Sequence, residues 1–168
     1  MKNTRKKPNG FTLTEVLIAS AISLTVMGVT LAVYGDLMRS WRGVELRMDA
    51  DREVNLALSH VVYGMDGRPG LRAASASSVT VTRTLGGNAW TVAYSTGGSA
   101  PQNNSLTWSA ATRELVFNPG GRIAGRDISF ASAWVTNNML SVTMRVDKAH
   151  GALQVRREVG TEIYFRNL

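Results

Sequence analysis

Glu15 is the side chain with the clearest chemical consequence, because it is the only charged residue in an apolar run of 24 residues from Phe11 to Tyr34. A carboxylate at mid-membrane costs roughly 2.5–3.5 kcal/mol on insertion scales, and a position near one end of the run costs less. The run contains no Lys or Arg. Glu15 therefore requires a positive group from the N-terminal leader or from another molecule, and its predicted chemistry is charge pairing.

Residues suited to enzymatic chemistry are few. The chain has no Cys, which excludes disulfides, Cys-ligated metal sites and a thiol nucleophile, and its 2 His argue against a multi-histidine metal site. Ser59, His60 and Asp66 do not form a credible triad, since adjacent helical residues do not face each other. The sequence predicts no catalytic residues, no metal site and no cofactor, and the chain is expected not to be an enzyme.

A membrane-spanning helix is the element expected to position Glu15. A helix of 24 residues, the length of the apolar run, measures roughly 36 Å, which exceeds the roughly 30 Å thickness of a bilayer core. The preceding leader carries four basic residues, Lys2, Arg5, Lys6 and Lys7. Basic residues before the first span predict a cytoplasmic N-terminus, so the remainder of the chain is expected across the membrane. A cleaved secretory signal is disfavoured because no Ala-x-Ala pattern follows Tyr34.

The segment KKPNGFTLTEVLIA, residues 6–19, resembles the processing site of type IV prepilins and type II secretion pseudopilins. This resemblance implies cleavage after Gly10 by a prepilin peptidase and N-methylation of the new terminus at Phe11. It also implies that Glu15 neutralises the terminal amine during assembly, often that of an adjacent subunit. The implied partners are the peptidase, other pilin or pseudopilin subunits, the inner-membrane assembly platform and the lipid bilayer.

The resemblance also implies a location before filament assembly, in which the protein crosses the inner membrane once. Its N-terminus then lies in the cytoplasm and its C-terminal domain in the periplasm. The sequence predicts a removed leader at 1–10, a membrane and assembly half of the helix at 11–34, a soluble half at 35–66, a linker at 67–77 and a β domain at 78–168.

The soluble half of the helix carries a heptad-like stripe that is predicted to be its core face. A separate coiled-coil dimer is the alternative. The stripe consists of Leu37, Trp41, Val44, Met48, Asp51, Asn55, Leu58, Val62 and Met65.

Beyond residue 77 the hydrophobic period changes from helical spacing to two, which is typical of strands. The sequence predicts about seven antiparallel strands, at 78–83, 89–94, 106–108, 114–118, 128–135, 139–146 and 153–165. Strands do not alternate with helices, so a parallel doubly wound sheet is disfavoured. The expected fold class is α+β, with a long N-terminal helix packed on a C-terminal antiparallel sheet.

Aromatic residues at strand positions are predicted to belong mostly to the core and the helix contact. The alternative is an aromatic binding face for sugar or nucleic acid. The residues concerned are Trp90, Trp108, Phe117, Phe130 and Trp134.

The formal charge of +7 first indicates an acidic partner such as nucleic acid. The candidate contacts are Arg122 and Arg126 in one glycine-rich segment and Arg156 and Arg157 in one strand, with a solvated basic surface as the alternative. Cleavage after Gly10 would remove ten of the 168 residues and leave a mature chain of 158. The leader contains four of the 19 basic residues, so the mature chain has 15 basic residues and 12 acidic ones. Much of the charge therefore belongs to the leader.

The apolar run lacks the proline that many major pilins have there, and this argues for a minor subunit. The order of elements and the closing residues resemble minor subunits of the pseudopilin J type, which join an initiating tip complex. The predicted function is a structural minor pilin or pseudopilin of a type IV pilus or a type II secretion pseudopilus. The alternative is a tip subunit that contacts DNA, surfaces or secreted cargo.

Overall fold

A computed structural model describes residues 11–84, 86–97, 99–136 and 138–165. It begins with one long helix, α1, at Leu13–Tyr63, and continues with antiparallel strands to Tyr164. The predicted α+β class, a long N-terminal helix followed by antiparallel sheet, is confirmed. Two compact units divide the chain at residues 1–42 and 43–168, so the boundary falls within α1.

The helix begins two residues after the start of the predicted membrane half at 11 and ends three residues before the predicted end of the soluble half at 66. It ends before Gly64, whose φ of +90° lies in the region that glycine adopts without steric cost. The Ser and Thr side chains of the apolar run do not interrupt the helix, because they donate hydrogen bonds to carbonyls about one turn back. The donors with such bonds are Ser20, Ser23, Thr25 and Thr30.

The strands form three antiparallel sheets. The smallest pairs β1 (Gly64–Met65) with β2 (Arg68–Pro69). The largest has five strands in chain order, namely β3 (Thr80–Arg83), β4 (Ala89–Ser95), β5 (Asn103–Ser109), β6 (Glu114–Asn118) and β7 (Arg122–Gly125). The third has three strands in the order β10-β9-β8, namely β8 (Ile128–Thr136), β9 (Met139–His150) and β10 (Leu153–Tyr164).

All seven predicted strand positions coincide with observed strands, and the additional strands are short. The main addition is β7, which the sequence assigns to a glycine-rich loop. Gly120 and Gly121 before it have φ values of +115° and +62° and form the turn, while Ile123 pairs with Val116 of β6 and Ala124 is buried. The sequence predicts a single C-terminal sheet, whereas the structure has two large sheets. They meet where the Arg83 guanidinium of β3 donates a hydrogen bond to the Ala133 carbonyl of β8.

The helix face that packs on the sheets agrees with the predicted stripe only in its C-terminal part. Leu37, Trp41, Val44 and Met48 are exposed, whereas the buried residues of α1 are Ala50, Val54, Ala57 and Val61. A small residue is needed at Ala57 because β7 approaches the helix closely there. A Cβ atom built at Gly125 would lie 2.6 Å from the Ala57 Cβ atom. The prediction was therefore wrong for Leu37, Trp41, Val44 and Met48, whereas Leu58, Val62 and Met65 of the stripe are partly buried and pack against the core as predicted.

Polar contacts hold the C-terminal part of α1 to the outer strand of each large sheet. The Nδ1–H group of His60 donates to the Ala124 carbonyl of β7 at 2.7 Å, since a carbonyl can only accept. The Arg157 Nε atom of β10 lies 2.9 Å from an Asp51 carboxylate oxygen. His60 is thus a structural residue at the edge of the core, and Ser59 donates to the Leu56 carbonyl of its own helix.

The segment 67–77, for which a linker is predicted, contains β2 and two short 3-10 turns, Leu71–Ala73 and Ala76–Ser78. Leu71 is fully buried. The Tyr94 hydroxyl of β4 donates to the Pro69 carbonyl at 2.9 Å, and burial raises the pKa of this phenol. These contacts attach the segment to the five-stranded sheet.

Candidate functional site

The start of α1 is built around a reciprocal pair of residues, Thr12 and Glu15. The Thr12 backbone N–H donates to Glu15 Oε2 at 2.8 Å, and the Glu15 backbone N–H donates to Thr12 Oγ1 at 3.3 Å. This arrangement is a capping box, in which each side chain satisfies a backbone donor of the other residue. Sequence reasoning singled out Glu15 and missed Thr12, although Thr-x-x-Glu before an apolar run is the sequence signal of this motif.

The Glu15 carboxylate accepts a second hydrogen bond at Oε2, from the Thr12 hydroxyl at 2.9 Å. A carboxylate has about four acceptor positions, so these two bonds leave room for an ammonium group. The capping contacts also hold the side chain at the N-terminal end of the helix. The arrangement can therefore bind a cation beside Phe11 without losing its role in capping.

The surface next to this pair is apolar and uncovered. All described residues of the first unit, 11–42, are exposed, and Phe11 itself is 88% exposed. The helix is long and apolar enough to cross a membrane. A contiguous apolar surface of this size requires lipid or a protein partner.

The predicted cleavage residue Gly10 and the leader charges Lys2, Arg5, Lys6 and Lys7 lie outside the described residues. Phe11, the predicted methylation site, is among the described residues, and its side chain is exposed and does not pack in the core. Cleavage, methylation and the assembly role of Glu15 stay predictions.

The aromatic residues divide into two groups. Trp90, Trp108 and Phe117 are buried as predicted, and the Trp108 indole donates to the Ile128 carbonyl at 3.1 Å. Phe130 and Trp134 are exposed, so their assignment to the core was wrong. The cause is an irregularity in the pairing of β8 between Ile128 and Phe130. Ile128 faces the core, whereas Phe130 and Trp134 lie on the outer face of the sheet.

The four arginines that the sequence offers for nucleic acid are distributed over both large sheets. Arg122 Nη1 lies 3.6 Å from Asp66, and Arg156 Nε lies 3.0 Å from Asp147. Arg157 contacts Asp51 as described above, and Arg126 is exposed next to Asp127. Three of the four guanidiniums thus face carboxylates within the chain, which favours the alternative of an ordinary charged surface.

One further ion pair joins the start of β8 to β9. The Lys148 ammonium donates to the Asp127 carboxylate, and this hydrogen bond lowers the pKa of Asp127. Asp127 sits at a φ of +56° in the turn after β7, so the pair holds this turn against β9.

We expect Asp127→Asn to reduce stability at neutral pH more than at low pH. The pKa of Asp127 is lower in the folded chain, so its contribution is present above the unfolded pKa of about 4 and disappears as the pH falls through the folded value. Urea unfolding at pH 7 and pH 3 would measure this difference. An equal loss at both values would contradict the pairing.

Comparison with known proteins identifies the N-terminal segment. Residues 5–31 match a family model described as the prokaryotic N-terminal methylation motif. No curated protein and no solved structure matches the chain. The match contains Gly10, Phe11 and Glu15, and it confirms that the chain carries the N-terminal signature of pilins and pseudopilins.

Proposed function

We propose that this protein is the precursor of a minor pilin or pseudopilin, which a prepilin peptidase cuts after Gly10 and a methyltransferase activity modifies at Phe11. The mature chain then assembles through its N-terminal helix into a type IV pilus or a type II secretion pseudopilus. The observation that carries this proposal is the match of residues 5–31 to the methylation motif. The exposed apolar helix next to Glu15 supplies the surface that such assembly needs.

The exposed apolar surface supports assembly through the helix. It continues beyond the predicted span through Leu37, Trp41, Val44 and Met48. A lipid bilayer covers about 20 helical residues, so neighbouring helices in a filament are the natural cover for the remainder. Within that apolar environment, Glu15 has the capacity to accept a hydrogen bond from a subunit's new terminal amine.

The absence of proline between Phe11 and Tyr34 supports a minor rather than a major subunit. The succession of one long helix and antiparallel strands is compatible with the J-type pseudopilin and with a place in the initiating tip complex. The basic leader supports a cytoplasmic N-terminus, and the β domain then lies in the periplasm before assembly.

Processing can be tested directly by mass spectrometry of the protein purified from its own membranes. We expect the N-terminal peptide to begin at Phe11 and to carry a methyl group on its amine. A Gly10→Val variant should keep its leader, because a larger side chain then occupies the cleavage position. A wild-type protein that retains Met1, or that is cut beyond Tyr34, would exclude this function.

A further inference from the structure

The outer face of the three-stranded sheet contains a shallow trough across all three strands. Its floor is a single row of small residues, Ser132 of β8, Thr143 of β9 and Gly160 of β10, which the strand register places side by side. A Cβ atom at Gly160 would lie only 3.2 Å from Thr143 Oγ1, so glycine keeps this end of the trough open. Two of the three floor residues offer hydroxyl groups.

On β8, aromatic rings form the two sides of the trough, whereas Ser141 and Arg145 flank it on β9 and Glu158 and Glu162 flank it on β10. Phe130 and Trp134 flank Ser132 on the same face of β8, and their Cα atoms are separated by four residues, or roughly 13 Å. Phe130 is 38% exposed and Trp134 is 57% exposed. At β8 the sides are thus apolar and accessible, while the floor offers hydroxyl groups.

Arginine side chains hold both rings in place. The Arg83 guanidinium stacks at 3.6 Å from the centre of the Trp134 ring and also donates to the Ala133 carbonyl. Arg145 lies 4.9 Å from the centre of the Phe130 ring. Because the rings are already oriented, binding to them costs little side-chain entropy.

A cavity of about 170 Å³ opens beside β8 and is bordered by Phe130, Ser132 and Trp134. Cavities near this size hold one six-membered ring. Trp90 also lines the cavity, and its indole N–H is buried without a hydrogen-bond partner among the residues that the structure describes.

The charges of this face balance, which disfavours a polyanion. Arg145 lies 3.8 Å from Glu158, and Arg156 lies 3.0 Å from Asp147. Glu162 adds a carboxylate beside the trough, and Arg83 adds a guanidinium at its Trp134 side. The phosphates of nucleic acid would be repelled by as many carboxylates as there are cations to attract them on this face. A neutral ligand carries no net charge and is not disfavoured in this way.

We propose that this trough binds a neutral oligosaccharide. Pyranose rings present C–H faces that pack against Phe130 and Trp134, and their hydroxyls match the hydroxyl groups of Ser132 and Thr143. The site would give the β domain a glycan-binding activity that does not depend on the assembly role of the helix.

The test uses the full-length protein in lipid nanodiscs, because detergents with sugar headgroups would compete for the site. Tryptophan fluorescence and calorimetry would be recorded with maltohexaose, cellohexaose, chitohexaose and mannohexaose. We expect at least one of the four to bind in the millimolar range or tighter. Trp134→Ala should weaken that binding about tenfold or more.

Two further variants make the test specific. Trp41→Ala removes another exposed tryptophan, 69% accessible, and should leave the affinity unchanged. Gly160→Val fills the trough and should weaken binding, with circular dichroism confirming that the variant is folded. Absence of binding by all four sugars, or equal affinities of Trp134→Ala and Trp41→Ala, would refute the proposal. Binding of a proline-rich peptide in place of any sugar would also overturn it.

Discussion

Replacement of Glu15 by glutamine is expected to leave cleavage after Gly10 intact but to lower the amount of the chain in filaments about tenfold or more. In the filament the terminal ammonium leaves water, and an uncharged amide at position 15 would leave it without a counter-ion. Breaking a buried ion pair in this way costs roughly 3–5 kcal/mol. Filament assembly requires this desolvation, whereas processing does not. Quantitative mass spectrometry of sheared filaments and of membranes would measure both steps.

Glutamine separates the charge of Glu15 from its capping role. The amide oxygen of Gln can still accept from the Thr12 backbone N–H, so the capping box is retained while the negative charge is lost. Glu15→Ala loses both, and the two variants should assemble equally poorly. Asp36→Asn is the matched control, since it removes an exposed carboxylate of the same helix whose ion pair among the described residues is with Arg39 at 3.6 Å. Normal incorporation of Glu15→Gln would show that capping, and not charge, is what assembly needs.

Gly64→Ala is expected to destabilise the β domain by more than about 3 kcal/mol. Gly64 joins α1 to β1 at a φ of +90°, and a Cβ atom there would lie 1.9 Å from the Arg68 carbonyl oxygen of β2. Backbone cannot move away as a flexible side chain can, so the turn between the helix and the sheets must open. Urea unfolding of the full-length protein, followed by tryptophan fluorescence, would measure the loss.

Gly67→Ala provides the control for this prediction. Gly67 lies in the same small hairpin at a φ of +77°, but a Cβ atom there would meet nothing within 4 Å. Its substitution carries only the conformational cost of the left-handed region, about 1–2 kcal/mol. Equal losses for the two variants would show that the close approach at Gly64 does not limit stability.

Local signals explain why much of the fold follows from the sequence. The apolar run and the glycines after Tyr63 predict the extent of α1, and period-two segments predict seven of the strands. The processing motif is also local, because charge, the Gly-Phe pair and Glu15 stand within a few residues of one another. Each of these signals depends on neighbours along the chain, and no tertiary contact is needed to recognise it.

The tertiary structure alone decided which faces are buried. Ala57 belongs to the helix contact because Gly125 lets β7 approach, and this approach joins residues that are far apart in the chain. In β8 a single irregularity after Ile128 reverses the alternation and brings Phe130 and Trp134 to the outer face. Sequence patterns identify which residues are apolar and at what period, but a side chain's face depends on register and on close approach between elements, and packing determines both.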